Sequence, residues 1–510
     1  MEGSGHGSPG PPRRALEALA GRRWVNPSGP FASPGTAVLS GTGVRRRNME
    51  KLDLKIAGGR LATSAGVWDV DIGVRDGKVA TIGSWGTLPP ADEELDAKGR
   101  VVLPGGIDTH CHAGDPGFEA FGIDFSLASR AAALGGVTTL IDMPVQMPLT
   151  ADPDSFDAKV ASIQPKAYVD FALWATCTAE TLSSIPALKD KGAVGFKFYM
   201  HASVGGFTPY HDDGLIYEAL QLVARTGLPA GMHCESQQII THLEKRLEQQ
   251  GRKDVAAFAE AHPVFAEVEA VHRALFMARE LGARLHIVHC STPEAVRLIQ
   301  AARQAGQAVT VETCPQYLVL DSSILGRMGN FAKVAPPIRD RATVEKMWGL
   351  LAQGQIDNVS SDHVPFPPDF KEGKSIWEAA AGAPVIQTMF PVLLAEGVNA
   401  GRITLPRLVS VMSEGPAKAF GLYPKKGSAQ IGADADFAIF RLDEERTIRA
   451  QDLVGTVWTL FEGMRAVYPE TTIVRGKVVA RNGKIVGPAG YGELVSPNGS
   501  ESQGRRPRVD

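Results

Sequence analysis

The stretch Val101–His112, VVLPGGIDTHCH, constrains this chain more than any other. An apolar run, Val101-Val102-Leu103, passes through Pro104-Gly105-Gly106 and Ile107-Asp108 into His110-Cys111-His112. Residues two apart share one face of an extended strand, so His110 and His112 point one way and Cys111 the other. Two imidazoles on one face at a strand end supply half of a metal site. An isolated His-x-His pair is more often just two polar residues at a loop mouth, so the reading needs partners elsewhere.

Those partners emerge when the chain is read for periodicity. Eight strand-like runs occur at 101–108, 137–143, 169–176, 193–199, 229–234, 283–289, 309–314 and 357–362. Amphipathic stretches such as 214–226, 266–281, 293–305 and 341–353 separate them. This alternation predicts an α/β chain with a (β/α)8 TIM-type barrel over residues 102–426. A doubly wound sheet is the alternative, but no Gly-x-Gly-x-x-Gly follows the first strand.

Both ends of the chain read instead as short strands. Arg75-Asp76-Gly77-Lys78 and Arg481-Asn482-Gly483-Lys484 are two-residue hairpin signals. They predict a small β domain built from residues 49–101 and 427–488. Residues 1–48 are rich in Gly, Pro, Ser and Arg, with only Glu2 and Glu17 as acids. They read as a disordered extension: an over-extended gene start before Met49, or alternatively a transit peptide. Residues 489–510 read as a flexible polar tail.

Composition narrows the classes of function. A net charge of -3 gives no basic footprint for nucleic acid or a membrane surface. No apolar run reaches the ~18 residues of a spanning helix. Five cysteines, an odd number without a secretory signal, argue for a reduced, cytoplasmic protein without a disulfide framework. Cys111, Cys234 and Cys290 each follow a histidine of interest, and alternation turns each thiol away from that histidine's face.

In a (β/α)8 barrel the chemistry sits where the strands end. Those positions hold His110 and His112, Lys197 in GFKFYM, His233 in MHCES, His289 in IVHCS and Asp362 in SSDHVP. His201, His211, His242, His262 and His272 fall on predicted loops or helices, and His286, three residues from His289, is expected on the opposite face. Four imidazoles and a carboxylate at one mouth predict a metal centre. A lysine beside cations is repulsive, yet burial lowers an amine's pKa and exposes its lone pair. A neutral amine can add carbon dioxide, and the resulting carbamate has two oxygens with which to bridge two metal ions. Imidazole, carbamate and carboxylate ligands suit zinc best, though other divalent ions fit.

The chain resembles the cyclic amidohydrolases: allantoinase, hydantoinase or dihydropyrimidinase, and dihydroorotase. GGIDTHCH, GGVTTLIDMP, GFKFYM, MHCES, HIVHCS, VETCPQYL, KVAPPIRD and SSDHVP carry the resemblance, in order, across roughly 52–486. It implies a barrel with a β-sandwich domain, hydrolysis of a ring C–N bond in a small cyclic ureide or amide, and a homo-oligomer, often a tetramer. It also implies His110 and His112 on one metal ion, His233 and His289 on the other, and N6-carboxylated Lys197 between them. Asp362 would bind metal and carry the proton as the catalytic residue. KVAPPIRD, MHCES and VHCSTPEAV look most like allantoinase, with hydantoinase or dihydropyrimidinase as the alternative. A non-catalytic scaffold relative is expected to lack metal ligands, which this chain keeps. Gly114 stands where dihydroorotases carry a substrate-binding arginine, Ala335-Pro336 where hydantoinases have Ser-Pro, and Ala202 where they have tyrosine. Gly114, Ala335 and Pro336 are therefore the expected substrate contacts, and Tyr199 or Tyr210 could replace the missing tyrosine.

Overall fold

Gly105 divides the run 101–108 between two sheets. A Cβ on it would lie 2.1 Å from Thr138 Oγ1, so only glycine lets the chain pass here. The expected single strand is therefore two, Val101–Pro104 and Gly106–Cys111, with separate partners. The computed structural model describes residues 51–202 and 208–497. The expected extension at 1–48 and the end of the expected tail, 498–510, lie outside the described residues.

In chain order the strands are β1 (Leu52–Thr63), β2 (Gly66–Arg75), β3 (Lys78–Gly83), β4 (Ala91–Asp96), β5 (Val101–Pro104) and β6 (Gly106–Cys111). There follow β7 (Val137–Asp142), β8 (Asp170–Ala175), β9 (Gly195–Tyr199), β10 (Ala230–His233), β11 (Leu285–Ile287), β12 (Val309–Thr313) and β13 (Asn358–Val359). The C-terminal set is β14 (Phe437–Phe440), β15 (Arg446–Thr447), β16 (Arg465–Ala466), β17 (Pro469–Val474), β18 (Lys477–Arg481) and β19 (Lys484–Ile485). Strands β6 to β13 form an eight-stranded sheet in sequence order, each pair parallel. The two end strands are drawn together by the Cys111–His363 bridge and by Ser361, whose N–H donates to Asp108 Oδ1 at 2.9 Å. This is the expected barrel.

The helices follow the amphipathic stretches. Asp213–Thr226 buries Ile216, Ala219, Leu220 and Val223, a stripe at helical spacing. Asp212 caps its start by accepting from the Leu215 N–H, and Gly227, at φ 72°, ends it. No described helix is long and apolar enough to cross a membrane.

Both chain ends meet in one nine-stranded sheet, ordered β19-β18-β17-β14-β5-β1-β2-β3, with β4 beside β1. The two limbs join through the antiparallel β5–β14 pair, and Leu54, Ile72, Phe437 and Ile473 share one apolar cluster. Asp76-Gly77 and Asn482-Gly483 form the expected turns, with positive φ at all four residues. The expected loose tail does not extend to residues 492–495. The Gly492 and Val495 N–H groups donate to Ala167 and Phe171 carbonyls, and Val495 is buried. These backbone partners at the edge of the barrel outweigh the polar composition that suggested a free end.

Candidate metal centre

One cavity at the barrel mouth is lined by His110, His112, Lys197, His233, His289 and Asp362 together. His110 lies in β6 and His112 is the first residue past its end, while Lys197 is the third residue of β9 and His233 the last of β10. His289 and Asp362 instead sit on turns past short strands, at φ 38° and 47°. Non-glycine residues in that region are strained, and the surroundings hold them there.

The polar atoms form two groups. His110 Nε2 and His112 Nε2 lie 3.3 and 3.6 Å from Asp362 Oδ1. His233 Nδ1 lies 2.9 Å from His289 Nε2, and the His110 and His289 rings are 5.2 Å apart. Carboxylates behind two of the histidines set their tautomers. Glu312 Oε1 is 2.8 Å from His110 Nδ1, and Glu235 Oε2 is 3.0 Å from His233 Nε2. Each of those nitrogens donates, which leaves the facing nitrogen with a lone pair, the arrangement of a metal-binding histidine. Burial, reinforced by His110 and Lys197, holds His112 well below its usual pKa, and burial with His233 does the same for His289. Both are neutral, the ligating form.

Lys197 lines the same cavity. Its side chain is fully buried, and its Nζ has no hydrogen-bond partner. It stands 3.5 Å from the centre of the Tyr199 ring. Burial lowers its pKa from 10.5 to about 7, against the opposing charges of Asp362 and Glu312. An unpaired polar atom at that depth costs ~1–3 kcal/mol, a cost a bound group would remove. The donor set and this orphaned amine fit a pair of divalent ions.

The structure differs from expectation at several positions. His286 is not turned away: its Nε2 lies 3.1 Å from Glu312 Oε2. Parity fails because β11 ends at Ile287 and the turn at His289 breaks the alternation. Gly114 and Ala335 line the cavity, but Pro336 does not; its carbonyl accepts from the Tyr317 hydroxyl at 2.7 Å. Tyr199 lines the cavity with its hydroxyl buried and unpartnered, whereas Tyr210 is exposed. Glu312 was missed, although a carboxylate inside the apolar run VTVETC was a visible signal. Burial would raise its pKa, but hydrogen bonds with His110 and His286 outweigh that and hold it well below the usual range. The apolar wall formed by Phe118, Ile123, Val145, Val364 and Phe366 had no local signal. All five cysteines are buried and free.

Comparison with known proteins identifies the family and the fold. Residues 101–479 match the amidohydrolase family. The chain is 39% identical over 454 residues to an L-hydantoinase of Paenarthrobacter aurescens, covering 88% of this chain and 99% of that one. It is 38% identical over 450 residues to an allantoinase of Rubrobacter xylanophilus, covering 87% and 97%. The solved L-hydantoinase (dihydropyrimidinase) from Arthrobacter aurescens superposes with a TM-score of 0.85 at 39% identity, covering 87% of this chain and all of that one.

Proposed function

Because the chain belongs to the amidohydrolase family, we propose that it is a metal-dependent cyclic amidase that opens a hydantoin-type ring by hydrolysing its C–N bond. Allantoin, the 5-ureido derivative of hydantoin, is the leading substrate, with allantoate as product. The observation that carries the reading is Lys197: a buried amine without a partner, amid four imidazoles and a carboxylate.

His110, His112 and Asp362 would hold one ion, and His233 with His289 the other, zinc being the ion these ligands suit best. Carboxylated Lys197 would bridge them. In forming that carbamate the neutral amine attacks the carbon of carbon dioxide, a C=O electron pair moves to oxygen, and an N–H proton leaves to water. Bound divalent ions supply a low-pKa water and polarise the amide carbonyl. Asp362 would take the water's proton as the water oxygen bonds to the carbonyl carbon, and would deliver it to the ring nitrogen as the C–N bond breaks. The Tyr199 hydroxyl is held protonated by burial and is free to donate to the carbonyl oxygen as charge develops there.

Gly114 speaks against dihydroorotate. It sits at φ 74°, and a Cβ there would lie 2.6 Å from Ile123 Cγ2, so no arginine can replace it. The apolar wall of Phe118, Ile123 and Phe366 favours a second reading, hydantoins with an alkyl or aryl group at C5. A cytoplasmic setting suits five buried free thiols, and assembly as a homotetramer belongs to the same proposal. Metal analysis and kcat/KM values for allantoin, 5-benzylhydantoin, dihydrouracil and dihydroorotate test it. Two ions or more per chain and preference for a hydantoin ring are expected; preference for dihydroorotate, or activity unchanged after chelation, overturns it.

A further inference from the structure

Beside His233, whose ring stacks on that of His201 at 6.4 Å between centroids, His201, Glu244 and His262 converge in the same cavity, and one ligand atom from each lies within 4.8 Å of the other two. His262 is 1% exposed and is fixed by Glu235, whose Oε1 lies 2.8 Å from its Nδ1. That nitrogen donates to the carboxylate; burial lowers the His262 pKa, but Glu235 and Glu244 outweigh it and raise it, so a cation bound at Nε2 would displace a proton there. His262 Nε2 is buried without a hydrogen-bond partner, and Glu244 Oε1 stands 3.5 Å from it. This separation is long for a hydrogen bond. It is close to the ~3.4 Å between two ligands that each sit about 2.1 Å from one tetrahedral ion. The third donor, the His201 ring, packs edge-on against His262 at 5.3 Å between centroids.

We infer that His201, Glu244 and His262 form a third divalent-cation site, with a fourth position open to the cavity. Two imidazoles and a carboxylate take a borderline ion such as zinc, cobalt or nickel. The support behind the ligands is already built. Glu235 accepts from His233 Nε2 and from His262 Nδ1, so one carboxylate sets the tautomer of a histidine in each site. Lys333 lines the same cavity and opposes a cation there, so this site fills after the proposed pair.

The test is zinc-loaded full-length protein, desalted and counted for metal beside Glu244→Gln and His201→Gln, with thermal melts to verify folding. The expected result is three ions per chain in the parent and two in each folded variant, with a third anomalous peak at the zinc edge among the three side chains. Equal metal counts in the parent and both variants, or no peak at that place, overturn the inference. The anomalous map also separates this from the preceding reading. A peak here without peaks beside His110, His112 and Asp362 or between His233 and His289 would sink the pair and leave the third site standing.

Discussion

Lys197 and Lys426 are equally buried, and their surroundings are opposite. Lys426 Nζ meets three carboxylates, Asp170, Asp434 at 3.0 Å and Asp436 at 2.9 Å. Burial would lower its pKa, but Asp436 and Asp434 outweigh that and raise it. Lys197 meets none at hydrogen-bond distance, and its pKa falls. Asp170 begins barrel strand β8, whereas Asp434 and Asp436 lie just before or beside β14 of the other sheet. Lys426 is therefore a clamp between barrel and sheet, complete as it stands. Lys197 is complete only with something added. Burial of a charge does not by itself mark function; burial without a partner is the informative state.

The sharpest way to break this contrast is to remove each lysine. Lys197→Met lowers kcat/KM at least about a hundredfold, the scale at which even outer partners of metal ligands act, yet leaves the metal-free thermal midpoint unchanged or higher. Lys426→Met does the reverse, destabilising by about 3–5 kcal/mol because buried Asp436 loses its cation, while Asp170 and Asp434 are left with Arg475 and Lys78 alone, which urea titration reads. A Lys197→Met variant with full turnover would end the contrast. Next in size, Glu312→Gln weakens the hold on His110 and lowers metal affinity by about 10–100-fold, measured by competition with a chelator.

The pH dependence of metal-free protein sharpens the same point. Between about pH 7 and 10.5 the unfolded chain carries a proton on Lys197 that the folded chain lacks, so stability rises with pH across that window. Melts of the parent across the window show the rise, and Lys197→Met loses it. The smallest effect concerns the cavity wall. Phe118→Ser costs 5-benzylhydantoin about tenfold in kcat/KM relative to allantoin, the scale of a few lost methylenes.

Much of the centre was legible because it obeys local rules. Strand parity brought His110 and His112 to one face, and the barrel's polarity gathered Lys197, His233, His289 and Asp362 at one mouth. Parity misled where a strand stopped early. His286 and the backbone of His289 both reach Glu312, because β11 ends at Ile287. The split at Gly105 was hidden for a similar reason: a clash with Thr138, thirty-three positions away, decides it. The cavity wall was illegible because Phe118, Val364 and Phe366 come from loops whose paths depend on long-range contacts rather than on any period.

The central claim is that Lys197 is held neutral and unpartnered so that it can become a carbamate between two metal ions. Carbon-13 NMR of protein loaded with metal in labelled bicarbonate tests it most directly. One carbamate signal per chain is predicted, absent in Lys197→Arg. Fully metallated, active protein with no such signal would contradict it.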